Sequence, residues 1–213
     1  MAVSASTAVA AVIALGFAAA FAATAQTPAA GPVYTAKGEL QFPADYRRWV
    51  YLSSGLDMSY RAGPPMPGMS QFDNVFVNPA AYDAFLHTGT WPDRTVMVLE
   101  ARRGEQNGSI NKAGRFQTER LGIEVHVKDT ARFKDTAGFP GGWAFFGFDG
   151  EGPGQLIPTT QTCYACHEAH AAVDRTFVQF YPTLKPIAVA KGTFSAAYLA
   201  EEAAAKAQPA PNP

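Results

Sequence analysis

The sequence predicts an α+β domain, a mostly antiparallel β-sheet with a few short helices. Two observations carry that class. The predicted strands outnumber the helices, and the links between them are hairpin-length or irregular rather than helical crossovers. The composition agrees, because the 213-residue chain is 47% hydrophobic with three Trp, eight Tyr and fifteen Phe. That is enough for one hydrophobic core and incompatible with disorder over the bulk of the chain. Seventeen basic and eighteen acidic residues give a net charge of -1, which argues against a nucleic-acid partner, since phosphate binding needs a cationic surface. No basic cluster exceeds Arg47-Arg48 and Arg102-Arg103, so a polybasic membrane patch is unsupported. Two cysteines cannot build a disulfide scaffold.

Taken in order, Thr7 to Ala22 form an apolar run too short and too rich in Ala to span a membrane. Ala23-Thr24-Ala25 follows with the small-x-small pattern that signal peptidase accepts. Residues 1–25 are therefore expected to be a signal peptide, leaving no membrane segment after cleavage. Residues 26–36 are small and Pro-bearing and read as a linker with little to bury. Residues 37–190 form the main domain. Within it, Pro43 to Tyr46 suggests a helical turn leading into a strand at Trp49 to Leu52, and the Gly- and Pro-rich stretch from Gly55 to Ser70 reads as a loop. Phe72 to Asn78 is rich in β-formers. Pro79 then opens a helix, with Asn78 as its N-cap and Gly89 as its terminator. Thr95 to Ala101 is a further strand. Leu121 to Lys128 alternates with period two, placing Leu121, Ile123, Val125 and Val127 on one face. Gly142 to Phe148 is an aromatic strand. Residues 191–213 comprise a C-terminal helix, with Ser195 as its N-cap, and a Pro-rich disordered tail.

The segment that carries chemistry is Cys163-Tyr164-Ala165-Cys166-His167. In this CxxCH spacing two thiols three residues apart reach the two vinyl groups on one haem edge and form thioethers. The following imidazole then sits under the iron as an axial ligand. The cofactor expected is thus one covalently attached haem c, with Cys163 and Cys166 as attachment points and His167 as the metal ligand. Such attachment takes place outside the cytoplasm, in keeping with a signal peptide and a periplasmic location. Three other readings of the pair are weaker. A thioredoxin-like redox disulfide would follow a strand in a βαβ pattern, which is missing. Zinc would have to recruit His167 and His170 within four residues. A structural disulfide across two residues would close too small a loop to stabilise much.

The other axial position is less constrained. On a helix His170 shares a face with His167 and cannot cross to the opposite side of one haem. His126 falls on the polar face of its strand, where a lone His is usually solvated, and His87 ends the Pro79 helix. Met58, Met66, Met69 and Met97 offer soft thioethers. By elimination an open or water-filled distal side is the leading expectation, with ligation by a Met as the alternative.

Four stretches, GELQFPADYRRWVYLSSGL, VFVNPAAYDAFLHTGTWPDRTVMVLEAR, GWAFFGF and CYACHEAHAAVDRTFVQFYPTL, together resemble the cytochrome P-460 and cytochrome c′-beta family from about Gly38 to Leu184. The resemblance implies a mostly antiparallel β domain with the haem on one side of the sheet, usually as a homodimer. In true cytochromes P-460 a lysine in the strand after the W-x-D-x-T turn is cross-linked to the haem, and the protein oxidises hydroxylamine. Laid on that pattern, this chain has Leu99 in the lysine's place. It therefore looks closer to cytochrome c′-beta, whose members have a hydrophobic distal pocket and bind nitric oxide. Met97 shares a face with Leu99, which the resemblance aims at the haem, and Met97, Phe76, Phe72 and Tyr51 are candidates for an apolar distal wall. The expected activity is binding or scavenging of a small neutral gas, nitric oxide first, at a five-coordinate iron. The alternatives are a six-coordinate electron-transfer cytochrome with a redox partner protein, and a hydroxylamine or nitric oxide oxidoreductase, for which the sequence offers no clear acid–base pair.

Overall fold

The computed structural model describes residues 31–59 and 70–207. The signal-peptide expectation for residues 1–25 lies outside them, as do Met66 and Met69. Six strands form one antiparallel sheet in the order of the chain: β1 (Val50–Leu56), β2 (Gln71–Val77), β3 (Val96–Glu105), β4 (Phe116–Lys128), β5 (Trp143–Phe148) and the two-residue β6 (Gln155–Leu156). Among the described residues four α-helices accompany it: α1 (Pro79–Thr88), α2 (Thr162–His170), α3 (Lys185–Lys191) and α4 (Ala196–Ala207). The α+β class with an antiparallel sheet is the one the sequence predicts. No helix among the described residues is long and apolar enough to cross a membrane.

Register decides what each face of the sheet carries. Met97 pairs with His126 and with Val77, and Leu99 pairs with Glu124 and with Val75, while His126 faces Phe145 on β5. Alternation then puts Val75, Met97, Leu99, Glu124, His126 and Phe145 on one side. On the other side Val96, Val98, Ile123, Val125, Val127, Ala144 and Phe146 pack with Leu40, Tyr46, Trp49 and Phe133 into one core. A second core, around Phe85, Trp91, Trp143, Val173, Leu184 and Tyr198, joins α1, α3 and α4 to the first side. Both faces are thus covered in part, and this explains several departures from the sequence expectation.

His126 is one of them. It is 8% exposed rather than solvated, because the face opposite the aliphatic stripe of β4 is also roofed. Residues 31–36 are not a loose linker: the Tyr34 ring meets Phe133 and Phe146, its hydroxyl donates to Asp129 at 3.1 Å, and Pro32 is buried. The C-terminal helix expected after residue 190 is α4, and Phe194 and Tyr198 pack it into the second core; the Pro-rich tail lies outside the described residues. Ser195 Oγ accepts the Tyr198 N–H at 3.1 Å, the N-cap bond. Asn78 precedes α1, but its side chain makes no cap bond to that helix. Its Oδ1 accepts the Val96 N–H at 2.8 Å and ties the helix start to β3. Gly89 ends α1 with φ 73°, the left-handed cap that glycine adopts without strain.

Candidate functional site

A cleft of about 180 Å³, partly open to solvent, lies between the sheet and the segment that follows α2. The sheet contributes Ser53, Asp73, Val75, Met97, Leu99, Glu124, His126 and Phe145. The C-terminal third contributes His167, Thr176, Phe177, Phe180 and Tyr181, and Met58 closes one end.

His167 sits in the last turn of α2. Its Nδ1 lies 2.7 Å from the carbonyl oxygen of Arg175. A carbonyl can only accept, so Nδ1 carries the proton and donates, and Nε2 keeps its lone pair. Burial holds the imidazole below its ordinary pKa while the carbonyl bond pushes the other way, so the neutral ring is favoured at neutral pH. Phe177, Phe145 and His126 pack around it, with ring centroids at 4.4, 4.7 and 5.0 Å. The result is a fixed, neutral nitrogen donor in the wall of an aromatic cleft.

The carbonyl that holds His167 comes from a tight turn. Val173 and Thr176 exchange backbone bonds at 3.2 and 2.8 Å, leaving Asp174 and Arg175 as the two turn residues. Both have positive φ, 44° and 61°, the region a type I′ turn requires and that non-glycine residues enter at a cost. Asp174 accepts from Lys128 Nζ at 2.6 Å and from Trp143 Nε1 at 3.2 Å. Thr176 Oγ1 accepts from Trp91 Nε1 at 2.7 Å and donates to the Val173 carbonyl at 2.7 Å. Arg175 reaches back to Glu168 on α2.

Cys163 and Cys166 lie on α2, half-buried and not bonded to each other. Burial raises both thiols; Glu124 adds to the rise at Cys163, and Cys163 and Glu201 to that at Cys166. The thiols are therefore beside the cleft rather than in its lining, on the same helix as His167. Among the described residues no cluster of three or more metal-ligating side chains forms.

The structure sorts the remaining candidates. Met97 and Leu99 line the cleft. Phe76 does not: it sits on the opposite face with Tyr46 and Tyr51, at 5.5 and 5.7 Å. Strand parity gives the reason, since Val75 takes the inward position and its neighbours Phe76 and Asn74 point away. Phe72 shares the parity of Phe76, and neither it nor Tyr51 lines the cleft. His170 is on the surface against Glu201 at 3.2 Å, and His87 is exposed in the last turn of α1. His126 touches His167 directly, which leaves no room for a flat group between the two rings. Among the described residues Met58 lines the cleft, positioned over Gly55.

The wall is not uniformly apolar, contrary to the sequence expectation. Asp73 and Glu124 face the cleft, and nothing in the alternation of their strands marks them as more than solvated side chains. Burial raises the Asp73 carboxyl, with the Asp57 charge adding and a bond from Gln71 opposing. The protein beside Glu124 raises its carboxyl too, with the Asp73 charge adding. His126 Nε2 is buried without a hydrogen-bond partner, and burial followed by His167 and Arg175 lowers its pKa well below the ordinary value. The donor set fits a haem. It comprises one neutral imidazole nitrogen presented to an aromatic and aliphatic cleft, two thiols on the adjoining helical turn, and a buried polar atom left open on the same wall.

The six-stranded meander and the histidine-bearing helix α2 together border this cleft on one face of the sheet. A family model, Cytochrome P460, matches residues 43–178, and the chain belongs to that family. It is accordingly a haem protein of the P460/c′-beta type. The matched span includes the CxxCH segment and the turn at Asp174-Arg175 and stops before α3 and α4. A comparison with curated proteins gives no match.

Proposed function

We propose that this protein carries one haem c joined through Cys163 and Cys166, with His167 as the proximal iron ligand, and that it binds nitric oxide at the opposite side of the iron. The observation that carries the reading is the bond from His167 Nδ1–H to the Arg175 carbonyl at 2.7 Å. It fixes the tautomer whose Nε2 can coordinate a metal, one residue after the second cysteine. The haem supplies an iron that takes a small diatomic ligand. The chain contributes the rest: two attachment points, one imidazole, and Leu99, Val75 and Met97 as apolar cover. Leu99 cannot form the lysine cross-link of the hydroxylamine-oxidising members. The Ala23-Thr24-Ala25 pattern and the requirement for attachment outside the cytoplasm support export to the periplasm, and the family resemblance supports a homodimer.

The test uses protein expressed in a host that attaches c-type haem. The haem should survive denaturation, the ferrous spectrum should be broad and high-spin, and adding nitric oxide should change it. An unchanged spectrum would remove the gas-binding role. A sharp low-spin ferrous spectrum that Met58→Leu converts to high-spin would establish the electron-transfer alternative instead.

One observation favours a second reading. Asp73 and Glu124 supply the carboxylates that the sequence did not reveal, and proton-coupled oxidation of hydroxylamine needs an acceptor of that kind. Steady-state turnover with an electron acceptor, abolished in Glu124→Gln, would support it; turnover no faster than free haem would dismiss it.

A further inference from the structure

We infer that Asp174 is a positioning residue for His167, acting through the backbone of its own turn. The inference rests on the assignment of His167 as the iron ligand. A carbonyl at 2.7 Å from Nδ1 strengthens the electron donation of the imidazole only while the carbonyl stays in place. Here it belongs to Arg175, a non-glycine residue with φ 61°, preceded by a second such residue with φ 44°. Two consecutive left-handed residues without glycine relax unless surrounding contacts hold them.

Those contacts converge on Asp174. Its carboxylate is 20% exposed and accepts from Lys128 Nζ at 2.6 Å, the two being paired across β4 and the turn. The Trp143 indole donates to the other oxygen at 3.2 Å. Lys128 Nζ is itself fixed by the Trp91 carbonyl at 2.9 Å, and the Trp91 indole holds Thr176, the far end of the turn, at 2.7 Å. The sheet and the loop before β3 therefore grip the turn at both ends. Asp174 and Lys128 do not line the cleft, and the turn they hold presents the Arg175 carbonyl to His167.

The experiment compares holoprotein of wild type, Asp174→Asn, Asp174→Ala and Lys128→Met. Two quantities are read: the iron–histidine stretching band of the ferrous state by resonance Raman, and the reduction potential. Asp174→Ala should move the band to lower frequency and raise the potential, because a slackened carbonyl bond leaves the imidazole a poorer donor. Asp174→Asn should move both less, since an amide tolerates positive φ and still accepts from Trp143. Lys128→Met should resemble Asp174→Ala, and it carries the comparison if the alanine variant fails to fold. Bands and potentials indistinguishable from wild type in the folded variants would overturn the inference. Survival of the iron–histidine band in His167→Ala would instead overturn the ligand assignment and the inference with it.

Discussion

The two faces of the sheet treat carboxylates in opposite ways. On the face away from the cleft, Glu100 is 1% exposed and meets Tyr46, Arg47, Arg102 and Asn74. One strand away and on the other face, Glu124 and Asp73 look into the cleft, Asp73 with a bond from Gln71 and Glu124 with no cation in reach among the described residues. Burial alone would raise all three. At Glu100 the hydrogen bonds from Tyr46 and Arg102 and the two arginine charges outweigh it, and the carboxyl falls below its ordinary value. At Asp73 and Glu124 nothing outweighs it, and both rise. A paired carboxylate serves the fold, whereas unpaired ones in a cleft are what a chemical site keeps at hand.

Substitution should separate the two kinds. The largest effect is expected for Glu100→Gln, which leaves Tyr46, Arg47 and Arg102 with a neutral partner and should cost about 1–3 kcal/mol, measured by urea unfolding at pH 7. The loss should shrink on acidification. A carboxyl lowered in the folded state stabilises above its unfolded pKa, and that contribution vanishes as pH falls through the lowered value. A gap between wild type and variant that holds constant down to pH 3 would break the comparison.

The sign reverses for Glu124→Gln and Asp73→Asn. Raised carboxyls favour the folded state while protonated, and the contribution is lost as pH climbs through the raised values. Removing either should leave stability at pH 7 unchanged or slightly higher, while altering the visible spectrum or its response to added ligand. A clear loss of stability at pH 7 would place these residues with Glu100. The smallest effect belongs to the surface: His170→Gln should change stability by less than about 0.5 kcal/mol, since its pairing with Glu201 is solvated on both sides.

Much of this architecture was legible before the structure. Period-two alternation located β4, Pro79 and Gly89 bracketed α1, and the CxxCH spacing singled out Cys163, Cys166 and His167. Alternation also put Met97 and Leu99 on one face. It cannot say which face of β2 points the same way, because parity is relative until strands are paired, and Phe76 lies on the other side. A register irregularity between Tyr51 and Ser53 hides the parity of β1 further. His126 was misread for a different reason. Alternation presumes one wet face, and here the second face is roofed by residues more than forty positions along the chain. The turn at Asp174 has no glycine to announce it, so its positive φ values were invisible in the composition.

The strictly sequential order of the sheet bears on how the molecule assembles. Each strand needs only its chain neighbour, so β1 to β6 can zip up through closures of modest length. The contacts that secure His167 are of another kind, joining Trp91 to Thr176 and Lys128 to Asp174 across 85 and 46 residues. Closing the cleft therefore brings together parts of the chain far apart in sequence, at a higher loop-closure entropy than any pairing of neighbouring strands.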